Sequence, residues 1–311
     1  MTTPRGGTLD EATAAGLLPV RDPRGHKGTF GRVVAVAGSL DYAGAALMCG
    51  AAALRAGSGL VTLCVPASLQ PVIAGRVPEL ITRGLVETEP FEVDADAAAA
   101  QVTELPADAS LIGPGLRPGR GTSRLTQQLL AAEGSPMVVD AGALDALSHV
   151  PGWWRRVERP LVLTPHPGEM ARLGRETGDS DEERSTAAAA AAAEWSAVVV
   201  LKGAGTVVAE PGGRTLTAPF EVPALGSGGS GDVLAGIIAS LLGQGLAPFE
   251  SAALAVYLHA RAGEDISAHL GDAGLMATDL LPAIPRVRRH LRAVRERGGR
   301  LGFVAPSGDP A

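Results

Sequence analysis

Short, uninterrupted apolar runs recur along this chain, each ended by glycine, proline, lysine or an acid, and they admit few folds. The runs are Val33–Ala37 before Gly38-Ser39, Leu60–Val65, Leu111-Ile112 before Gly113-Pro114-Gly115, Met137–Val139 before Asp140, Leu161–Thr164 before Pro165, and Ala197–Leu201 before Lys202. A strand without polar alternation is covered on both faces, as in a parallel sheet. Segments at helical spacing separate or follow the runs: Tyr42–Ala56, closed by Gly57-Ser58-Gly59, then Thr122–Ala132, Ala143–Leu147, Ala187–Ala193, Val233–Leu242, Ser251–Ala268 and Ala277–Arg292. The alanine run reads as helix because charged residues precede it and Trp195 follows it. Val207–Ala209 and Arg214–Ala218 add two short strands beyond a tight turn. The fold class is therefore α/β, a central, mainly parallel sheet with helices on both faces.

One domain over residues 25–292 accounts for the chain. Residues 1–24 read as an N-terminal docking arm with a short helix at Asp10–Leu18, and 66–108 as a crossover punctuated by prolines and acids. Residues 293–311, Gly/Pro-rich from Gly298, read as a flexible tail. The composition is 46% hydrophobic but only 3% aromatic, which suits closely packed helices rich in alanine and glycine. Such helices are expected to self-associate as a homo-oligomer. A net charge of −6 leaves no basic surface for nucleic acid. The two cysteines, Cys49 and Cys64, lie in apolar segments and read as buried thiols, with no metal-ligand spacing. No apolar run has membrane-spanning length and the N-terminus carries no signal-peptide pattern, so a cytoplasmic protein is expected.

Residues 225–236, Leu-Gly-Ser-Gly-Gly-Ser-Gly-Asp-Val-Leu-Ala-Gly, carry the chemistry. Gly226, Gly228, Gly229 and Gly231 clear side chains from the backbone amides, and the apolar run that follows makes this a loop entering a helix. Amides at a helix start receive phosphate oxygens or a developing oxyanion. Asp232 stands at the mouth of that anion site, where a carboxylate repels phosphate; its task there is either to take a proton from a hydroxyl or, with Ser230, merely to cap the helix. The loop matches neither the dinucleotide fingerprint nor the Walker loop. Other candidates lie at strand ends. Asp140 either faces the site or caps the helix after it. His166, held between Pro165 and Pro167, is the histidine among six placed in a site; His26 is weaker, and His149, His259, His269 and His290 read as helix or loop residues. Lys202-Gly203-Ala204-Gly205-Thr206 offers a cation, amides and a hydroxyl for a nucleotide phosphate, or is an ordinary hairpin turn. Lys27 and Arg32 serve anionic groups or simply lie on the surface.

Taken in order, Lys27…Gly38-Ser39, Gly44-Ala45-Ala46, Gly113-Pro114-Gly115, Asp140-Ala141, Thr164-Pro165-His166-Pro167-Gly168-Glu169, Leu201-Lys202-Gly203-x-x-Thr206 and Gly228-Gly229-Ser230-Gly231-Asp232-Val233-Leu234-Ala235-Gly236 resemble the ADP-dependent NAD(P)H-hydrate dehydratases. The resemblance spans about residues 25–292 and implies a ribokinase-like fold. It implies repair of hydrated NADH or NADPH: ADP phosphorylates the added hydroxyl, loss of phosphate restores the ring double bond, and AMP and phosphate are released. Asp232 would be the base, with Gly229, Ser230 and Gly231 stabilising the transferred phosphoryl group. Lys202, Gly203, Ala204, Gly205, Thr206 and Gly231 would contact the nucleotide. Ala45, Ala46, Gly115, His166 and Asp232 would line the hydrate pocket. Mg2+ would bridge the ADP phosphates, with no metal site of the protein's own. Two departures stand out: Arg117 replaces the last glycine of the family's Gly-Pro-Gly-Leu-Gly, and serine replaces threonine at Ser227 and Ser230. The 24 residues before the domain are too few for the epimerase domain many relatives carry, so a separate NAD(P)H-hydrate epimerase is expected as partner. The competing expectations are a ribokinase-like, ATP-dependent kinase of a vitamin precursor of the hydroxymethylpyrimidine or hydroxyethylthiazole type, and a non-catalytic nucleotide sensor.

Overall fold

Each continuous apolar run becomes a strand buried on both faces. The computed structural model describes residues 5–90 and 92–301. Its strands are β1 (Arg5–Thr8), β2 (Arg32–Val36), β3 (Leu60–Pro66), β4 (Ile81–Leu85), β5 (Glu87–Glu89), β6 (Glu92–Val93), β7 (Ala109–Ile112), β8 (Met137–Val139), β9 (Leu161–Leu163), β10 (Val198–Leu201), β11 (Val207–Ala209) and β12 (Arg214–Thr217). The helices are α1 (Glu11–Leu17), α2 (Ala43–Ala56), α3 (Gln70–Ile73), α4 (Ala95–Thr103), α5 (Arg120–Ala131), α6 (Gly142–Ser148), α7 (Pro167–Arg172), α8 (Asp181–Trp195), α9 (Ser230–Gly243), α10 (Pro248–Leu270) and α11 (Ala277–Leu301).

Ten strands form one sheet in the order β1-β12-β11-β10-β9-β8-β7-β2-β3-β4, while β5 and β6 pair separately. All neighbours in the large sheet are parallel except at β11, which runs against both β10 and β12. Alternate residues feed two cores, because successive side chains of a strand point to opposite faces. Val33 and Ala35 of β2 join a core with α1, α2, α9, α10 and α11, and Val34 and Val36 join one with α4, α5, α6 and α8. The closest helix contact is between α2 and α9. A Cβ on Gly236 would lie 2.2 Å from the Cys49 carbonyl oxygen, so only glycine lets the two backbones meet. At the far end of α9, Gly243 rests on Val33 and Ala109, near the amino ends of β2 and β7. The first turn of α9 is thereby placed over the carboxyl ends of the strands.

Three segments differ from expectation. The crossover over 66–108 contains α3, α4, the edge strand β4 and the β5–β6 hairpin; β4 alternates exposed and half-buried residues, so it lacks a continuous apolar run. The described part of the arm, residues 5–24, is built into the fold: β1 extends the sheet beside β12, Leu9 is fully buried, and Asp10 caps α1 through the Thr13 amide. The last helix does not stop at Arg292 but continues to Leu301. The remainder of the expected tail lies outside the described residues. Both cysteines are free and buried. Among the described residues no helix is long and apolar enough to cross a membrane.

Candidate active site

The loop into α9 is held open at the helix N-terminus. Gly229 is the N-cap, at φ +90°, and α9 has no side-chain cap. The Ser230 hydroxyl turns back and donates to the Leu225 carbonyl at 2.6 Å, which fixes the loop. The Asp232 carboxylate accepts no hydrogen bond among the described residues. Neither side chain therefore caps the helix, and the amides of Gly229, Gly231 and Asp232 have no acceptor among the described residues. The φ of +90° favours glycine at 229, and Met48 Cε of α2 packs where a Cβ would stand, 2.5 Å away. Burial pushes the Asp232 carboxyl up to about 7; the negative charge of Asp140 adds to the rise and Lys202 opposes it. A partly buried carboxylate with such a value is ready to accept a proton near neutral pH.

Beside this loop, three strand ends build a charged cluster. Asp140, 1% exposed after β8, accepts from the Thr164 hydroxyl at 2.7 Å and the Lys202 ammonium at 2.9 Å. It faces the site and leaves α6 without a side-chain cap, which settles the alternative left open by the sequence. Lys202 also lies 3.5 Å from Glu169. Burial works against its charged form, yet Asp140 and Glu169 together hold its pKa above the ordinary value. The ammonium is thus paired with two carboxylates, and it lies 3.6 Å from where a Gly231 Cβ would be. The chain turns sharply after Asp140: Ala141 has φ +45°, unusual for a residue with a side chain.

The remaining candidates fall in two groups. Ala45 and Ala46 sit in the first turn of α2, beneath Gly115 and Gly38, whose missing side chains permit the contact. Ala46 is fully buried, so it shapes the floor and offers no surface. His166 caps α7: its Nδ1 accepts from the Glu169 amide while Glu169 accepts from the His166 amide, leaving the ring largely exposed. Arg117 reaches Asp41 at 2.7 Å beside the start of α2. On the other side, a cavity of about 430 Å3 opens between the β10–β11 turn and α9. Its wall is mostly apolar, including Ala218, Phe220, Val222, Leu234 and Val256, with Lys202, Gly203, Ala204, Thr206 and Gly231 at its polar end. Gly205 is not on that wall; its amide donates to the Phe220 carbonyl and Thr206 closes the turn on Gly203. His259 of α10, read from sequence as a plain helix residue, also lines the cavity, and its Nε2 lies 2.9 Å from the Ser230 carbonyl oxygen. A single histidine on an apolar helix gives no sequence signal of such a contact. Arg32 pairs with Asp108 and His26 serves its own loop, so neither belongs to the site.

Among the described residues no three His, Cys, Asp or Glu side chains form a metal cage. Asp140 and Glu169 are shared with Lys202, and Asp232 is the unpaired carboxylate beside the loop. A magnesium ion brought by nucleotide phosphates needs few protein ligands.

The chain matches the family model described as NAD(P)H-hydrate dehydratase over residues 33–286. It is 45% identical over 285 residues to the bifunctional NAD(P)H-hydrate repair enzyme of Moorella thermoacetica, covering 91% of this chain and 54% of that protein. The chain therefore spans about half the length of such bifunctional relatives. It is 36% identical over 288 residues to the ADP-dependent (S)-NAD(P)H-hydrate dehydratase of Xanthomonas campestris, covering 92% of this chain and 98% of that protein. Among solved structures, the ADP/ATP-dependent NAD(P)H-hydrate dehydratase of Bacillus subtilis, co-crystallised with ATP/Mg2+, is similar with a TM-score of 0.80 and 31% identity, over 94% of this chain and 99% of that one. The expected ribokinase-like α/β fold is borne out.

Proposed function

The chain belongs to the NAD(P)H-hydrate dehydratase family, and we propose that it is itself an ADP-dependent (S)-NAD(P)H-hydrate dehydratase that returns hydrated NADH or NADPH to the reduced coenzyme. The observation that carries the reading is the unpaired, partly buried Asp232 at an uncapped helix N-terminus. A binding site for phosphate alone gains nothing from a carboxylate there, whereas a phosphoryl transfer to a hydroxyl needs a base. Asp232 takes the proton of the added hydroxyl as its oxygen bonds to the β-phosphorus of ADP, and the bond from that phosphorus to the AMP oxygen breaks. The amides of Gly229, Gly231 and Asp232, free of acceptors among the described residues, meet the oxygens of the group in transfer. Phosphate then leaves with the carbon–oxygen bond, the ring loses a proton, and its double bond is restored.

The nucleotide fits the cavity beside Lys202–Thr206, whose apolar wall suits a base and whose polar end meets the α9 loop. The hydrate fits the opposite group, Ala45, Gly115 and His166, with Ala46 beneath. Magnesium, when bound with the nucleotide, would neutralise phosphate charge, with Asp232 in the loop and Asp140 and Glu169 beside Lys202 as the carboxylates of the site. The ion pair of Arg117 with Asp41 accounts for the departure from the family pattern: the arginine turns outward to the start of α2 and leaves Gly115 free to pack on Ala45. A separate epimerase would supply the reactive epimer from the other one, and a cytoplasmic location suits coenzyme repair.

The products test the reading. With hydrated NADH, ADP and Mg2+, AMP and inorganic phosphate should appear in amounts equal to the NADH restored. Consumption of ATP with a stable phosphorylated vitamin precursor, and none of ADP, would replace it with the kinase.

A further inference from the structure

The peptide unit joining Ser230 to Gly231 is held from one side only. Its carbonyl oxygen lies 2.9 Å from His259 Nε2, while the Gly231 amide has no acceptor among the described residues. A trans peptide is planar, with its carbonyl and N–H pointing in opposite directions. Both residues lie in the first turn of α9, so the Gly231 N–H points to the open end of the helix, and the contact with α10 fixes the plane of that peptide.

The hold is reinforced one helical turn along α10. Gly263, four residues after His259 and on the same face, has Leu225 against its α-carbon; a Cβ there would lie 2.8 Å from the Leu225 side chain. The Leu225 carbonyl in turn accepts the Ser230 hydroxyl at 2.6 Å. So α10 grips the glycine loop at two points, Leu225 and Ser230, while Met48 of α2 supports it at Gly229. Glycine-rich backbone has the greatest freedom to lose, and these three contacts restrict it at Leu225, Gly229 and Ser230.

We propose that His259 is a positioning residue of the phosphoryl-transfer site, its hydrogen bond to the Ser230 carbonyl orienting the Gly231 amide toward the group in transfer. The assignment rests on the proposed function of that loop. A carbonyl only accepts, so Nε2 must carry the proton. Burial, opposed by the Ser230 bond and aided by the charge of Lys202, leaves the His259 pKa at about 4, so the ring is neutral at physiological pH and its Nε2–H donates. A donor on the carbonyl also polarises the peptide and strengthens the N–H at its other end.

Three readouts test this. His259→Leu, which removes the donor, should lower kcat roughly 10- to 100-fold with KM for ADP changed less than about threefold. His259→Gln, which keeps a donor, should recover kcat to within about fivefold of wild type. Long-range 15N spectra of the wild-type protein should show His259 as the neutral Nε2–H tautomer at pH 7. The assignment is overturned by a Leu variant with wild-type kcat, by a rise in KM alone, which would make His259 only a cavity wall, or by Gln failing as badly as Leu. It is also overturned by the Nδ1–H tautomer or a protonated ring, a result that needs no variant to fold. Wild-type protein that restores no NADH while showing the Nε2–H tautomer would defeat the proposed function and, with it, the catalytic sense of the contact, leaving the hydrogen bond itself intact.

Discussion

Asp232 stands where charge is hard to keep, and the proposed chemistry rests on that conflict. Removing its proton-accepting oxygen in Asp232→Asn should lower turnover by about 100- to 10,000-fold, with ADP affinity changed by less than about threefold; isothermal titration and steady-state rates separate the two. Activity in the wild type should rise with pH through about 7 as the carboxyl loses its proton. Stability runs the other way. The folded carboxyl titrates above its unfolded value, so between the two the native state keeps a proton that the unfolded chain has lost, and stability falls as pH rises toward about 7. Asp232→Asn should therefore melt at a higher temperature than wild type at pH 8, with the difference shrinking toward pH 4. A variant destabilised equally at both values would contradict the buried, unpaired carboxylate. At this scale the sequence carried much: glycines before an acid are a local signal. It did not carry partners distant in the chain. Asp140 could cap or face a site from spacing alone, and Lys202 lies 62 residues from the carboxylate that holds it.

The elements around the loop matter through two contacts. Gly236 lets α9 lie on the α2 backbone at Cys49, and α9 carries the loop at its start. Gly236→Ala would force the helices apart, at a cost of about 1–3 kcal/mol or more, measurable by denaturant unfolding. Unchanged stability would mean that the helices are not in backbone contact. The second contact joins β8, α7 and β10 through one ammonium. Lys202→Met leaves Asp140 and Glu169 facing each other without a cation, and about 3–5 kcal/mol of stability should be lost. Loss of nucleotide affinity with full stability would instead make Lys202 a phosphate ligand. Elements buried on both faces were legible because burial leaves a run of apolar residues. The edge elements were not. β1, Arg5-Gly6-Gly7-Thr8, has no strand propensity and forms because β12 offers an unpaired edge. β4 has one side partner and exposed positions at Ile81 and Arg83.

The whole molecule is a two-faced sheet whose layers meet at one chemical edge. Short turns after β2, β7, β8, β9 and β10 all open at the carboxyl end, where open α/β sheets bind ligands. There α9 brings its N-terminus between a cavity suited to a nucleotide and a floor of small residues suited to the hydrated ring. The fold class followed from the order of apolar runs; the division into two subsites came only with the family resemblance, because in physical terms it depends on which turns α9 and α10 approach. The most direct test is absorbance at the reduced-nicotinamide band for protein given hydrated NADH or NADPH with Mg2+ and ADP. The account predicts that the band returns with wild type and not with Asp232→Asn. Failure of the band to return with wild-type protein that binds ADP, or its full return with Asp232→Asn, would contradict it.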